Sequence, residues 1–139
     1  MHLERPSMVK ENKVIVVDVD GTLTLGKRDG ESYASAMVCE SMKSRLMTLK
    51  SEGYWIILFT SRNMRTHQGN IGAIMKHTAP ILINWLSEHE IPYDELHFGK
   101  PWCGHDGFYI DDRAVRPREF LENSLGQLHA LLERDRMPS

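Results

Sequence analysis

Two short, unbroken apolar runs constrain this chain more than any other feature. Val14-Ile15-Val16-Val17 and Tyr54-Trp55-Ile56-Ile57-Leu58-Phe59 show no alternation of polar and apolar residues. A strand apolar on both sides needs cover on both sides, as in a parallel sheet flanked by helices. Leu96-His97-Phe98 and Phe108-Tyr109-Ile110 read as two further short strands. Between the strands the period changes. Val38, Met42, Leu46 and Leu49 recur at helical spacing over residues 34–51, and Gly53 sits where a helix stop belongs. Ile81, Leu82, Trp85 and Leu86 mark a second helix, with Pro80 in its first turn. Residues 119–134 carry Phe120, Leu121, Leu125, Leu128 and Leu132 and read as mostly helical. Residues 60–72 are polar and irregular. Residues 20–33 hold Gly21, Gly26 and Gly30 and read as loop, with a small hairpin around Asp29-Gly30. The first 13 residues read as a loose lead-in. Strands alternating with helices predict an α/β fold: a doubly wound, Rossmann-like, mostly parallel sheet with helices on both faces.

The chain has 139 residues, of which 41% are hydrophobic, enough for one domain with a real core. Lys plus Arg number 17 and Asp plus Glu 19, a formal charge of −2. That balance predicts no nucleic-acid partner and no anionic membrane surface. No apolar stretch approaches the roughly 20 residues that span a bilayer. The amino-terminal Met1-His2-Leu3-Glu4-Arg5-Pro6 lacks the apolar core of a signal peptide. Cys39 and Cys103 are far apart and make no metal-type pair. The expectation is a cytoplasmic protein with free thiols.

In a doubly wound sheet, function gathers at the carboxyl ends of the strands. The first strand ends in Asp18-Val19-Asp20-Gly21-Thr22, the second in Thr60-Ser61-Arg62, the third in Gly99-Lys100-Pro101 and the fourth in Asp111-Asp112. Acids, a hydroxyl and an amine at four strand ends suit one task. They can hold a divalent cation and a phosphate together while a carboxylate attacks phosphorus. Phosphoryl transfer is mostly positioning and neutralisation of the equatorial oxygens. Magnesium prefers hard oxygen ligands and takes one or two carboxylates plus phosphate and water. Asp18 and Asp112 are candidate carboxylates, and Lys100 is a compact cation for phosphate and nucleophile. Thr60 offers a hydroxyl to a phosphoryl oxygen and Ser61 a backbone amide. Gly21 lets the backbone approach closely. Asp20 is placed to protonate a leaving alcohol and then to deprotonate the attacking water. A covalent aspartyl phosphate would split one hard step into two easier ones.

These motifs resemble the haloacid dehalogenase-like phosphohydrolase superfamily. Asp18-x-Asp20-Gly21-Thr22 looks like its first motif, Thr60 its second, Lys100 its third and Asp111-Asp112 its fourth, in order across residues 14–115. The resemblance implies Asp18 as nucleophile, Asp20 as acid/base, and a magnesium ion on Asp18, a backbone oxygen of Asp20, and Asp112, with Asp111 beside it. A narrower resemblance runs through Thr60-Ser61-Arg62-Asn63-Met64-Arg65-Thr66, Gly99-Lys100-Pro101-Trp102-Cys103-Gly104-His105 and Phe108-Tyr109-Ile110-Asp111-Asp112. These look like the small capsule-biosynthesis phosphatases of bacteria. The implied substrate is a sugar or polyol phosphate on the way to a surface polysaccharide.

Neither the segment before the second strand nor the 40 positions from Thr60 to Lys100 leave room for a cap domain, which rarely falls below ~50 residues. The expectation is a capless core whose open site either accepts a large substrate or is covered by a neighbouring subunit, the second being favoured, hence a homo-oligomer. Arg62, Asn63, Arg65 and His67 follow Thr60 and are candidates for reading the leaving group, against the alternative of a solvated loop. Trp102, Cys103, His105 and Asp106 read as a packed loop rather than a second metal site. Two other functions compete. A non-enzymatic phospho-acceptor module would carry its acid pair early and its phosphorylated Asp on a middle strand, which is not the order here. A nucleic-acid 3′-phosphatase would carry a basic stripe.

Overall fold

The computed structural model describes residues 10–25 and 32–136. The chain runs β1 (Val14–Asp18), a 3-10 turn (Tyr33–Ser35), α1 (Glu40–Ser51), β2 (Trp55–Thr60), α2 (Ile71–His77), α3 (Ala79–Glu88), β3 (Glu95–Phe98), α4 (Pro117–Glu122) and α5 (Leu125–Asp135). The hairpin expected around Asp29-Gly30 and most of the amino-terminal lead-in lie outside the described residues.

Among the described residues the sheet has three parallel strands in the order β1-β2-β3. Ile15 lies opposite Ile56, Val17 opposite Leu58, and Leu58 opposite Leu96. Residues opposite one another across parallel strands share a face, so these apolar side chains form one continuous surface. Ile56 and Leu58 on it are fully buried. Met42, Leu46 and Leu49 of α1, Leu82, Trp85 and Leu86 of α3, Phe120 of α4 and Leu128 of α5 join them in one cluster. The opposite face is half covered: Trp55, Ile57 and Phe59 are half-buried, and Val16 is 60% exposed.

The structure shows an α/β fold with a parallel sheet and helices, consistent with a Rossmann-like arrangement, while among the described residues helices cover only one face. Both crossovers step the same way across the sheet. With the right-handed connection usual for parallel strands, their helices fall on the same side. Double winding needs the chain to return beyond β1, and the expected fourth strand does not form there. Phe108 and Ile110 are unpaired and exposed, Ile110 by 89%. Among the described residues β1 is consequently an edge.

Other departures have local causes. The first helix begins at Glu40, because the 3-10 turn and the extended Cys39 occupy the start of the expected span. Cys39 therefore precedes α1 and is half-buried at the margin of the core. Helix α2 starts at the end of the segment 60–72 that reads as irregular and runs on to His77. Asn70 caps it, accepting from the Ala73 amide at 3.1 Å. The carboxy-terminal helical span breaks at Asn123. There Ser124 starts α5 with a reciprocal capping box to Gln127. Trp85 is buried as expected, its indole donating to the Ala36 carbonyl at 2.9 Å.

Candidate active site

Asp18 is the last residue of β1, in register with Phe59 of β2. The chain then coils around one carbonyl. The amides of Thr22, Leu23 and Thr24 all donate to the Val19 oxygen, at 3.2, 2.8 and 3.1 Å. Val19 and Leu23 are fully buried and anchor the coil. Gly21 takes φ +83°, and a Cβ there would meet no atom within 4 Å. The positive φ, not a close approach, is what asks for glycine. This coil holds the Asp18 and Asp20 carboxylates at the top of the strand.

Lys100 arrives from the end of β3 after Gly99, which takes φ +86°. Its amide donates to the Thr60 carbonyl at 3.1 Å, tying the ends of β2 and β3 together. Its ammonium reaches Oδ1 of Asp18 at 3.5 Å, and the Thr22 hydroxyl reaches Oδ2 at 3.3 Å. Burial raises the pKa of Asp18 above its ordinary value, and the Lys100 charge offsets only part of that. The candidate nucleophile is therefore partly desolvated beside a cation. Lys100 also lies 4.4 Å from the centre of the Tyr109 ring, and the Tyr109 hydroxyl donates to the Pro101 carbonyl at 2.6 Å. Burial and the neighbouring Cys103 thiol raise the Tyr109 pKa, against a smaller opposing effect of Ser61. Tyr109 is a contact of the site that the sequence did not signal, since its segment reads as strand.

Thr60 ends β2 and is only 1% exposed; its hydroxyl oxygen accepts from the Arg62 amide at 3.0 Å. That leaves the hydroxyl proton free for another acceptor. Ser61 follows at the surface margin, half-buried.

The four candidates for reading a leaving group separate. Arg62 is 3% exposed, and its Nη2 and Nε fork onto Oδ1 and Oδ2 of Asp20 at 2.7 and 3.1 Å. Its guanidinium stacks 4.2 Å from the Tyr33 ring centre, and its Nη1 is buried with no hydrogen-bond partner among the described residues. Arg62 therefore grips Asp20 instead of facing outward. Asn63 adopts φ +59° and accepts from the Thr78 hydroxyl at 2.8 Å, which makes it a loop brace. His67 stacks on His77 with ring centres 5.6 Å apart. Arg65 alone of the four is both exposed and turned toward another loop, its Nη1 lying 3.1 Å from Nε2 of His105.

The structure brings together Asp18, Thr22 and Lys100, and separately Asp20 and Arg62. Asp111 and Asp112 are exposed, and Asp111 accepts from the Arg113 amide at 2.7 Å. Among the described residues no three His, Cys, Asp or Glu side chains gather as a metal-holding group. In this arrangement Asp18, Asp20, Asp111 and Asp112 do not gather into such a group. No helix among the described residues is long and apolar enough to cross a membrane.

With this geometry in place, comparison places the chain among known structures. A crystal structure of a structural-genomics target from Vibrio cholerae is 47% identical over 89% of this chain and 99% of that one, with a TM-score of 0.84. The chain belongs to the family of this Vibrio cholerae protein. The two share one fold. A chain of the Pnkp1/Rnl/Hen1 complex is 22% identical over 87% of this chain and 40% of that one, at a TM-score of 0.46, a likeness too distant to carry an argument. No protein-family model and no curated protein matches the chain.

Proposed function

We propose that this protein is a magnesium-dependent phosphomonoesterase with Asp18 as nucleophile. One observation supports the reading above others: Lys100, from the end of β3, meets Asp18, at the end of β1, 82 positions away in the chain. A half-buried carboxylate beside a lysine is the pair that in-line attack on a phosphate needs. The lysine neutralises a phosphoryl oxygen as Asp18 Oδ approaches phosphorus. The bond to the leaving alcohol breaks, and that oxygen takes a proton from Asp20. Water, giving its proton back to Asp20, then cleaves the aspartyl phosphate and restores Asp18. Asp20 enters this cycle by exchanging one of its two guanidinium bonds to Arg62 for the substrate oxygen. The Thr60 hydroxyl and Ser61 amide serve the phosphoryl oxygens.

Magnesium would supply charge neutralisation at the phosphate. It is proposed on the chemistry of the donor set, and it carries a structural condition. Residues 108–112 would have to leave their exposed path and pair with the open edge of β1. That pairing would bury Phe108 and Ile110 and bring Asp112 to the carboxyl end of the strand. The resemblance to capsule-biosynthesis phosphatases supports a sugar or polyol phosphate as substrate, the composition a cytoplasmic setting, and the open, capless site a homo-oligomer that covers it.

Phosphate release from a generic aryl phosphate tests the reading. Turnover is expected with magnesium, lost to a chelator, and lost in Asp18→Asn. Equal turnover by that variant would refute the nucleophile assignment. Slowed amide exchange at residues 108–110 on adding magnesium and inorganic phosphate is the expected sign of strand pairing.

A further inference from the structure

The loops leaving β2 and β3 meet through three side chains. Nη1 of Arg65 lies 3.1 Å from Nε2 of His105. The Trp102 and His105 rings meet edge to face with centres 5.0 Å apart. The Arg65 guanidinium lies 5.8 Å from the centre of the Trp102 ring. Each of the three touches the other two, and all are exposed, Trp102 by 40%.

Two aspects of this cluster are unusual for a mere surface loop. Arg65 makes no ion pair with any carboxylate among the described residues. Its neighbour is an imidazole nitrogen, to which the guanidinium donates in the tautomer that leaves Nε2 unprotonated, so no anion answers the guanidinium charge among the described residues. A large indole is also left open to solvent beside that charge. The two arms are continuous with the candidate site. Trp102 follows two residues after Lys100, which touches Asp18, and Arg65 follows three after Arg62, which holds Asp20. A substrate with its phosphate between Asp18 and Lys100 would extend its leaving group along these loops.

We propose that Arg65, Trp102 and His105 form the platform that receives the leaving group, and that it selects a phosphorylated sugar carrying a second anion. The guanidinium fork matches the two oxygens of a carboxylate or a second phosphate. The Trp102 face offers a flat, amphipathic surface for the sugar ring. His105 holds Arg65 in position through the 3.1 Å contact. This selectivity rests on the phosphomonoesterase reading for its first half, the place of the reacting phosphate.

Paired substrates test it. Glucose 1-phosphate is compared with glucuronic acid 1-phosphate, and a hexose monophosphate with the matching bisphosphate. Each member is measured for turnover by the natural protein, Arg65→Gln, Arg65→Lys and Trp102→Ala. Each is also titrated by calorimetry into Asp18→Asn and into Asp18→Asn/Arg65→Gln. The doubly anionic member of at least one pair is expected to be preferred by about tenfold or more, the scale of one charge-assisted pair. That preference should vanish in Arg65→Gln and recover partly in Arg65→Lys. A clasp that only joined the loops would depress kcat on every substrate and leave the preference intact, and that result overturns the proposal. So does equal binding of both members in both pairs. A binding preference without phosphate release would sink the phosphatase reading while leaving the platform standing.

Discussion

Asp18 is stable as a carboxylate only at a cost. Burial lifts its pKa above 3.8 even with Lys100 beside it. A carboxyl with a folded-state pKa above its unfolded value contributes stability that is fully present below the unfolded pKa. That contribution is lost as pH rises through the folded pKa. At neutral pH the ionised Asp18 therefore destabilises the fold. Asp18→Asn should melt at a higher temperature than the natural protein when both are kept in chelator at neutral pH. The gap should close as pH falls toward 3.8. Identical melting at neutral pH would mean that Lys100 fully offsets the burial. Asp18 and Lys100 were legible in the sequence because each ends an apolar strand, and strand ends converge in a parallel sheet. The role of Arg62 was not. Nothing in Thr60-Ser61-Arg62 distinguishes a guanidinium that turns inward from one that faces solvent. Only the coil around Val19, which points Asp20 toward it, decides the matter.

Elements are joined at the opposite end of the sheet by Asp94. Its side chain is 13% exposed, accepts from the Ile56 amide of β2 at 2.8 Å, and pairs with Lys50 of α1. Burial pushes its pKa up, but the Ile56 amide and Lys50 together outweigh that and hold it below 3.8. For a depressed carboxyl the sign reverses. Its stabilisation is present above the unfolded pKa and is lost as pH falls through the folded one. Asp94→Ala should cost about 1–3 kcal/mol at neutral pH, the range for a buried donor left unsatisfied. Denaturant titration should show that loss shrinking below pH 3.8. A constant loss across that range would assign the effect to packing alone. The three strands that formed were readable from unbroken apolar runs or a short apolar triplet. Two helices were partly hidden for physical reasons. Helix α2 has only seven residues, too few to show a helical period, and its start is set by the Asn70 cap. The break between α4 and α5 comes from Asn123 and Ser124, inside a spacing that otherwise reads as continuous. The strand expected at Phe108–Ile110 has the right composition, but pairing depends on what lies beside it, which composition does not encode.

Over the whole molecule the apolar surface is unevenly satisfied. One cluster on one face of the sheet unites helices α1, α3, α4 and α5 with the strands. The other face keeps Val16 in solvent, and the unpaired segment after β3 does the same for Phe108 and Ile110. Sedimentation at increasing concentration should reveal self-association, and Val16→Lys should reduce it. The same change should alter unfolding stability by no more than about 0.5 kcal/mol, as for an ordinary surface substitution. Association unaffected by that lysine would place the contact elsewhere. The unpaired rim of β1 has a further consequence. Its backbone amides and carbonyls accept an extended segment by geometry, with little regard to that segment's identity. The chain's own 108–112 stretch and any foreign peptide therefore compete for one groove. On the phosphomonoesterase reading, a foreign strand seated there would keep Asp112 away from Asp18 and leave the site idle.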